Sequence, residues 1–291
     1  MSLSRKIRKQ WPRRPRHSHK GDYGRVLILA GSAGMHGAAH LAGMAALRSG
    51  AGLVTVAVPD KIYPVVARRE AELMVLSLPS TQAGSVSTQA FRPLIQQLKN
   101  QDVFALGPGL SRQAGTVKLV RRLIQAVKCA VVLDADALNA FEGRPEALRV
   151  LKGHAVLTPH AGEFQRLFGT KPQKNSALRI QAARAAARKT GVVVVLKGAR
   201  TVVAAPAGKF YVNTSGNPGM ATAGTGDVLT GLLAAVLAQG FNFYDAACFA
   251  VFIHGLAGDL AAKVKGEISL TAGDVLDFLP AAFKKCGAGH R

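Results

Sequence analysis

One stretch of the chain has the residue types to handle a phosphoryl group. Asn213-Thr214-Ser215-Gly216-Asn217-Pro218-Gly219-Met220-Ala221-Thr222-Ala223-Gly224-Thr225-Gly226-Asp227 leads into an apolar segment, residues 228–238. Small residues at 221–226 let successive backbone N–H groups turn toward one point, and the positive end of the following helix adds to that field. An anion belongs there. Asp227 would repel that anion unless it has a task of its own, and two readings stand. It is either a first-turn acid that satisfies free N–H groups, or a general base. As a base it would take a proton from a hydroxyl while the Gly224, Thr225 and Gly226 amides hold the phosphoryl group being transferred.

Two further glycine clusters follow apolar runs. Gly31-Ser32-Ala33-Gly34-Met35-His36-Gly37-Ala38-Ala39 has GxxGxxG spacing, so it is neither a GxGxxG dinucleotide fingerprint nor a GxxxxGK(S/T) phosphate loop. Leu106-Gly107-Pro108-Gly109-Leu110 is the other. A tight strand-to-helix turn explains either one, and so does a ligand that the backbone must approach closely. Lys197 closes the apolar run 192–196, where a lysine without a partner would snorkel to solvent. His160, after Thr158-Pro159, reads equally as a helix-start residue or a ligand contact. Asn217 reads as a turn cap or a phosphate donor. His36 and His40 lack the glutamate of HExxH, which argues against zinc. Asp134 and Asp136 alternate at a strand end and read as a carboxylate pair or, more commonly, as caps after a strand, and His254, among Phe252, Ile253 and Leu256, as a core or interface histidine.

These groups need elements to position them. Near-continuous apolar runs at 25–30, 53–58, 102–106, 130–133, 155–158 and 192–196 read as strands buried on both faces of a mainly parallel sheet. Helical stretches at 36–49, 111–127, 161–168 and 176–189 supply the crossovers. The pattern predicts a doubly wound α/β domain over residues 21–291, with helices flanking the sheet. Residues 201–205 and 209–212, separated by Pro206-Ala207-Gly208, read as an antiparallel hairpin. Helices are expected at 227–238, 244–262 and 271–283. The glycine clusters fall where strands end, and open sheets bind ligands at the carboxyl ends of their strands.

Lys and Arg number 38 against 16 Asp and Glu, a formal net charge of +22. Eight of the basic residues (Arg5, Lys6, Arg8, Lys9, Arg13, Arg14, Arg16 and Lys20) fall in residues 1–20 with no acid, and Pro12 and Pro15 work against an amphipathic helix. A basic, flexible arm over 1–20 is expected. The body keeps +14, which suits an anionic substrate. Its aromatics are too few and scattered for a single-strand stacking surface, which places nucleic acid behind a small anion. With 48% hydrophobic and 19% charged residues, the chain is too apolar to be disordered. Cys129, Cys248 and Cys286 form no CxxC pair, so no disulfide scaffold is expected. No uninterrupted apolar run of about 18 residues predicts a membrane span. The first 20 residues lack the apolar centre of a secretory signal, and a cytoplasmic location is expected.

GTGD before an apolar helix resembles the anion hole and base of the ribokinase-like superfamily. The fuller set is narrower: His19-Lys20-Gly21-Asp22-Tyr23-Gly24, Gly31-Ser32 through Ala39, 47–54, 133–138, Leu157-Thr158-Pro159-His160-Ala161-Gly162-Glu163, Leu196-Lys197-Gly198 and Gly216-Asn217 through Asp227. In this order, over residues 17–285, it resembles the ADP/ATP-dependent NAD(P)H-hydrate dehydratases. The resemblance implies dehydration of the S epimer of hydrated NADH or NADPH, with ADP converted to AMP, or ATP to ADP; ADP is expected from the stand-alone layout. It implies that Ala39, Gly109 and His160 contact the hydrated dinucleotide, and that Asp227 reaches its reacting hydroxyl. Lys197, Gly198, Ala199, Arg200 and Thr201 would hold the adenine nucleotide, with Gly226 and Asn217 toward its phosphates. Glu163, one helical turn after His160, would help organise the hydration shell of Mg²⁺. A separate hydrate epimerase and a homotetramer are expected. Ala161 stands where the family commonly has proline and Ala223 where glycine is common, both small replacements. A small-molecule kinase of the same superfamily is the alternative enzyme, and a nucleic-acid-binding protein using the arm is the alternative of another class.

Overall fold

The apolar runs pair into one sheet in a computed structural model that describes residues 3–11, 13–173 and 175–288. In chain order the strands are β1 (Arg25–Leu29), β2 (Leu53–Pro59), β3 (Met74–Leu78), β4 (Val103–Leu106), β5 (Ala130–Leu133), β6 (Ala155–Leu157), β7 (Val193–Leu196), β8 (Val202–Ala204) and β9 (Phe210–Val212). Across the sheet they run β3-β2-β1-β4-β5-β6-β7-β8-β9. Pairings from β3 through β7 are parallel, and β8 and β9 add an antiparallel edge through the expected hairpin. The edge strand β3 was not among the expected strands. It is half-exposed along most of its length, so its sequence, MVLSL, lacks the sustained apolar character of a central strand.

The helices are α1 (Leu3–Gln10), α2 (His36–Arg48), α3 (Tyr63–Ala67), α4 (Phe91–Leu98), α5 (Ala114–Ala126), α6 (Ala135–Asn139), α7 (Ala161–Phe168), α8 (Ser176–Thr190), α9 (Thr225–Ala238), α10 (Phe243–Lys265), α11 (Ala272–Asp277) and α12 (Leu279–Cys286). They cover both faces. Val26 and Ile28 of β1 join a core with Leu232 of α9 and Phe249 of α10, while Leu27 and Leu29 join a second core with Leu123 of α5 and Ala187 of α8. This period-two division is the doubly wound sandwich that the strand pattern predicts. The single helix expected at 271–283 is instead two, α11 and α12. Pro280 occupies the first turn of α12, where its missing N–H is tolerated; inside a continuous helix it would break a hydrogen bond. By length and mean hydropathy α10 could cross a bilayer. Here Ala246, Ala247, Phe249, Ala250, Ile253, Ala257 and Ala261 are fully buried in the core.

The N-terminal segment departs from the flexible arm expected from its charge. Ile7 of α1 is fully buried, and Leu3 and Trp11 pack against the same core. Trp11 meets Phe241 and Phe283 with ring centroids 5.1 and 5.0 Å away. Lys6 pairs with Asp245 of α10. Arg14 donates to Gly50 O at 2.6 Å. Pro12 lies outside the described residues. Leu3, Ile7 and Trp11 recur at every fourth position and form one apolar stripe. Burial of that stripe, with Asp245 as counter-charge, outweighs the repulsion that the charge count suggests. Ile7→Ala is expected to lower stability to urea by about 2 kcal/mol; an unchanged midpoint would return the segment to a solvated arm.

Candidate active site

The site begins at the N-terminus of α9. Gly224 caps the helix at φ 89°, a left-handed conformation that glycine adopts without strain. Asp227 N–H donates to Gly224 O at 3.0 Å. Among the described residues neither the Thr225 nor the Gly226 amide makes a backbone hydrogen bond, which leaves both available to an anion at the positive end of the helix. Thr225 Oγ1 ties the preceding loop together through Met220 O and Thr222 O, each at 3.1 Å.

A charge cluster lies against this turn. A Cβ at Gly226 would stand 3.4 Å from Lys197 Nζ and 3.8 Å from Asp134 Oδ2, so a glycine here leaves room for both groups. Lys197 Nζ donates to Asp134 Oδ1 at 2.5 Å and lies 3.8 Å from Glu163 Oε2. Thr230 Oγ1 donates to Asp134 Oδ2 at 2.8 Å. Asp134 is therefore not the cap read from sequence. It precedes α6, but its side chain makes no capping bond; Ala135 turns the chain at φ 46°, and the carboxylate reaches β7 and α9.

Burial alone would depress the Lys197 ammonium, but the carboxylates of Asp134, Glu163 and Asp227 overcome it and hold Lys197 above the ordinary lysine value. Asp227 shows the opposite balance. Burial, then the negative charges of Asp134 and Glu163, outweigh Lys197 and push its carboxyl up to about 7. A carboxylate in that range is ionised near neutrality and basic enough to take a proton, which makes it a candidate general base.

His160 performs its helix-start role. Its Nδ1 accepts from Gly162 and Glu163 N–H at 2.9 and 3.3 Å, and Glu163 Oε2 accepts from His160 N–H at 2.8 Å. The residue is nonetheless exposed at the carboxyl end of β6, with Nε2 3.1 Å from Glu163 Oε1. Burial would raise the Glu163 carboxyl; hydrogen bonding to His160 and the charge of Lys197 hold it below its ordinary value. Among the described residues no three His, Cys, Asp or Glu side chains are grouped to hold a metal ion.

The first two glycine clusters meet between β1 and β4, where the strand order reverses. Gly31 N–H donates to Pro108 O, and Ser32 Oγ to Gly109 O, both at 2.8 Å. Such a switch point is where open α/β sheets take ligands. Gly109, at φ 63°, is partly exposed there. Ala39 is fully buried with its methyl facing Gly31, and Ala33, Gly34 and Met35 form the exposed part of that turn. Gly198, Ala199 and Arg200 form the exposed turn after β7, which Thr201 Oγ1 closes by donating to Gly198 O at 3.0 Å.

Asn217 fills the turn-cap role that was one of its two readings. Its Oδ1 accepts from Gly219 N–H at 3.0 Å and its Nδ2 donates to Asp259 Oδ1 at 3.1 Å, so it is a turn cap with both ends of its amide occupied. His254 likewise proves to be more than a core residue: its Nε2 lies 2.9 Å from Thr225 O. Asp134 had a signal in its position at the carboxyl end of a buried strand, whereas the His254 contact had none.

The NAD(P)H-hydrate dehydratase family model matches residues 26–281. The chain is 50% identical over 94% of its length to the bifunctional NAD(P)H-hydrate repair enzyme Nnr of Moorella thermoacetica, of which it covers 52%. It spans about half the length of the bifunctional relatives it matches. The ADP-dependent (S)-NAD(P)H-hydrate dehydratase of Xanthomonas campestris pv. campestris is 37% identical over 93% of this chain and 91% of its own. The crystal structure of the ADP/ATP-dependent NAD(P)H-hydrate dehydratase from Bacillus subtilis, co-crystallised with ATP and Mg²⁺, superimposes with a TM-score of 0.81 at 30% identity, covering 97% of each chain. The fold is ribokinase-like. With a family model running from β1 into α12 and half of its aligned residues shared with the Moorella enzyme, this chain belongs to the NAD(P)H-hydrate dehydratase family.

Proposed function

We propose that the chain dehydrates the S epimer of hydrated NADH or NADPH, converting ADP to AMP and phosphate, with ATP as the alternative donor. The observation that carries this reading is Asp227: a carboxyl raised to about 7, set beside the open amides of α9 and the Lys197 cluster, in a chain of this family. Hydroxide is a poor leaving group, whereas a phosphate ester of the same hydroxyl leaves readily. Asp227 removes the proton from the substrate hydroxyl. The hydroxyl oxygen bonds to the terminal phosphorus of the nucleotide as the bond to the bridging oxygen breaks, and AMP leaves with that electron pair. Thr225 and Gly226 N–H groups hold the non-bridging oxygens, and Lys197 offsets their charge. The ring nitrogen then expels phosphate, and loss of a proton from the neighbouring carbon restores the reduced nicotinamide.

Gly109 and His160 border the substrate side of the site, and residues 198–201 the nucleotide side. Three carboxylates facing one lysine leave hard oxygen donors that would suit a hydrated Mg²⁺, and Glu163 would be the residue to hold it through water. Bound Mg²⁺ would supply charge neutralisation at the phosphates. An epimerase that interconverts the hydrate epimers belongs to this proposal as functional partner, and the bifunctional names of the relatives are compatible with its lying on the same chain as well as on a separate one. A homotetramer and a cytoplasmic location complete it; gel filtration and fractionation test them.

The test is incubation with S-hydrated NADH, Mg²⁺ and either ADP or ATP, following the near-ultraviolet absorbance of NADH. NADH should appear with stoichiometric AMP or ADP. A phosphorylated product retained without NADH would favour the superfamily kinase; no turnover with either nucleotide would sink the dehydratase reading.

A further inference from the structure

The loop that carries the open amides is held against one face of α10. Asn213 Nδ2 donates to Val251 O at 3.1 Å, and Ser215 Oγ donates to Phe252 O at 2.9 Å. Asp259 Oδ2 accepts from Gly216 N–H at 2.9 Å, and its other oxygen holds Asn217. Between these contacts α10 carries glycine where the loop presses closest: a Cβ at Gly255 would collide with Ser215, and one at Gly258 with the Met220 side chain. His254 lies on the same face. Its Nε2 is 2.9 Å from Thr225 O, and a carbonyl oxygen can only accept, so Nε2 carries the proton. Burial and the nearby Lys197 push the ring down to about 4, and it is neutral at physiological pH.

Thr225 C=O and Gly226 N–H are the two ends of one peptide unit. A donor on the carbonyl fixes the plane of that peptide and polarises it, making the amide at its other end a stronger donor. We propose that His254 is a positioning residue for phosphoryl transfer: through Thr225 O it orients and polarises the Gly226 amide that receives the terminal phosphoryl group. This rests on the phosphoryl-transfer reading of the site but not on hydrated NADH being the acceptor. His254 touches no reacting atom.

The experiment compares His254→Leu, which fills the space without a donor, with His254→Gln, whose amide N–H can reach the same carbonyl. Calorimetric titration with ADP and with AMP gives the ratio of their affinities, which isolates the terminal phosphoryl group and needs no turnover. His254→Leu should shrink that ratio and lower kcat about 10-fold, with KM for the acceptor unchanged, a smaller loss than removal of a direct donor. His254→Gln should restore both. An unchanged ADP-to-AMP ratio in a folded His254→Leu protein overturns the proposal. So does equal loss in both variants accompanied by a fall in Tm, the mark of a purely structural residue. If hydrated NADH is not turned over by the wild type while the ratio still shrinks, the dehydratase reading fails and the role of His254 stands.

Discussion

Asp227→Asn should cost turnover roughly 100-fold or more, the range expected for loss of a general base, while nucleotide still binds and the protein becomes more stable. The wild-type carboxyl is held up to about 7 from 3.8 by burial and by its acidic neighbours. The folded state therefore binds that proton more tightly than the unfolded chain does. The corresponding stability is complete below the unfolded value, declines as pH rises from about 4 to about 7, and is absent above. Removing the ionisable group removes the loss. The variant should gain on the order of 4 kcal/mol at pH 8, visible as a rise in Tm of several degrees, and little at pH 4. The wild-type kcat/KM should climb about tenfold per pH unit below 7 and level off above it. A rate within a few-fold of wild type would remove Asp227 from the base role; a Tm difference independent of pH would contradict its raised value.

The second large effect belongs to Lys197. Its ammonium faces Asp134, Glu163 and Asp227 together, so Lys197→Met leaves buried carboxylates without their cation. Such a loss costs roughly 3 to 5 kcal/mol. Asp227 should also titrate higher, because Lys197 is the group that lowers it, and the acid limb of kcat/KM should move to more alkaline pH. Adding Asp134→Asn relieves one unpaired charge. In urea unfolding the double variant should recover a substantial part of the stability lost by Lys197→Met alone, since residues in one ion-pair network do not behave additively. Equal stability of wild type and Lys197→Met would show that solvent, and not the carboxylates, accommodates the lysine.

Both effects come from residues of unequal legibility. Lys197 stood out because a lysine at the end of the buried run 192–196 needs a partner. Asp227 stood out because it follows a small-residue loop and opens an apolar helix. Asp134 did not, since an acid after a strand is an ordinary cap until the turn at Ala135 is known. The N-terminal segment shows the same limit from the other side. Its charge is visible as a count, but its stripe of Leu3, Ile7 and Trp11 gains meaning only when α10 and α12 provide a seat.

The sequence by itself determined the central strands, most of the crossover helices, the hairpin, the three glycine clusters and Asp227. Each is local: buried parallel strands must be continuously apolar, and tight approaches need small residues, so composition over a few positions suffices. Tertiary structure decided which of the candidate groups share a site. Lys197 and Asp134 are 63 residues apart, and His254 and Thr225 are 29 apart. No local pattern encodes their contact, because it depends on how α9 and α10 pack over the ends of β5 and β7. That packing also sets the value that matters most for the proposed chemistry. Asp227 becomes a base near neutrality through burial and through two acids contributed by distant strands and helices, a balance of fields that exists only in the folded chain.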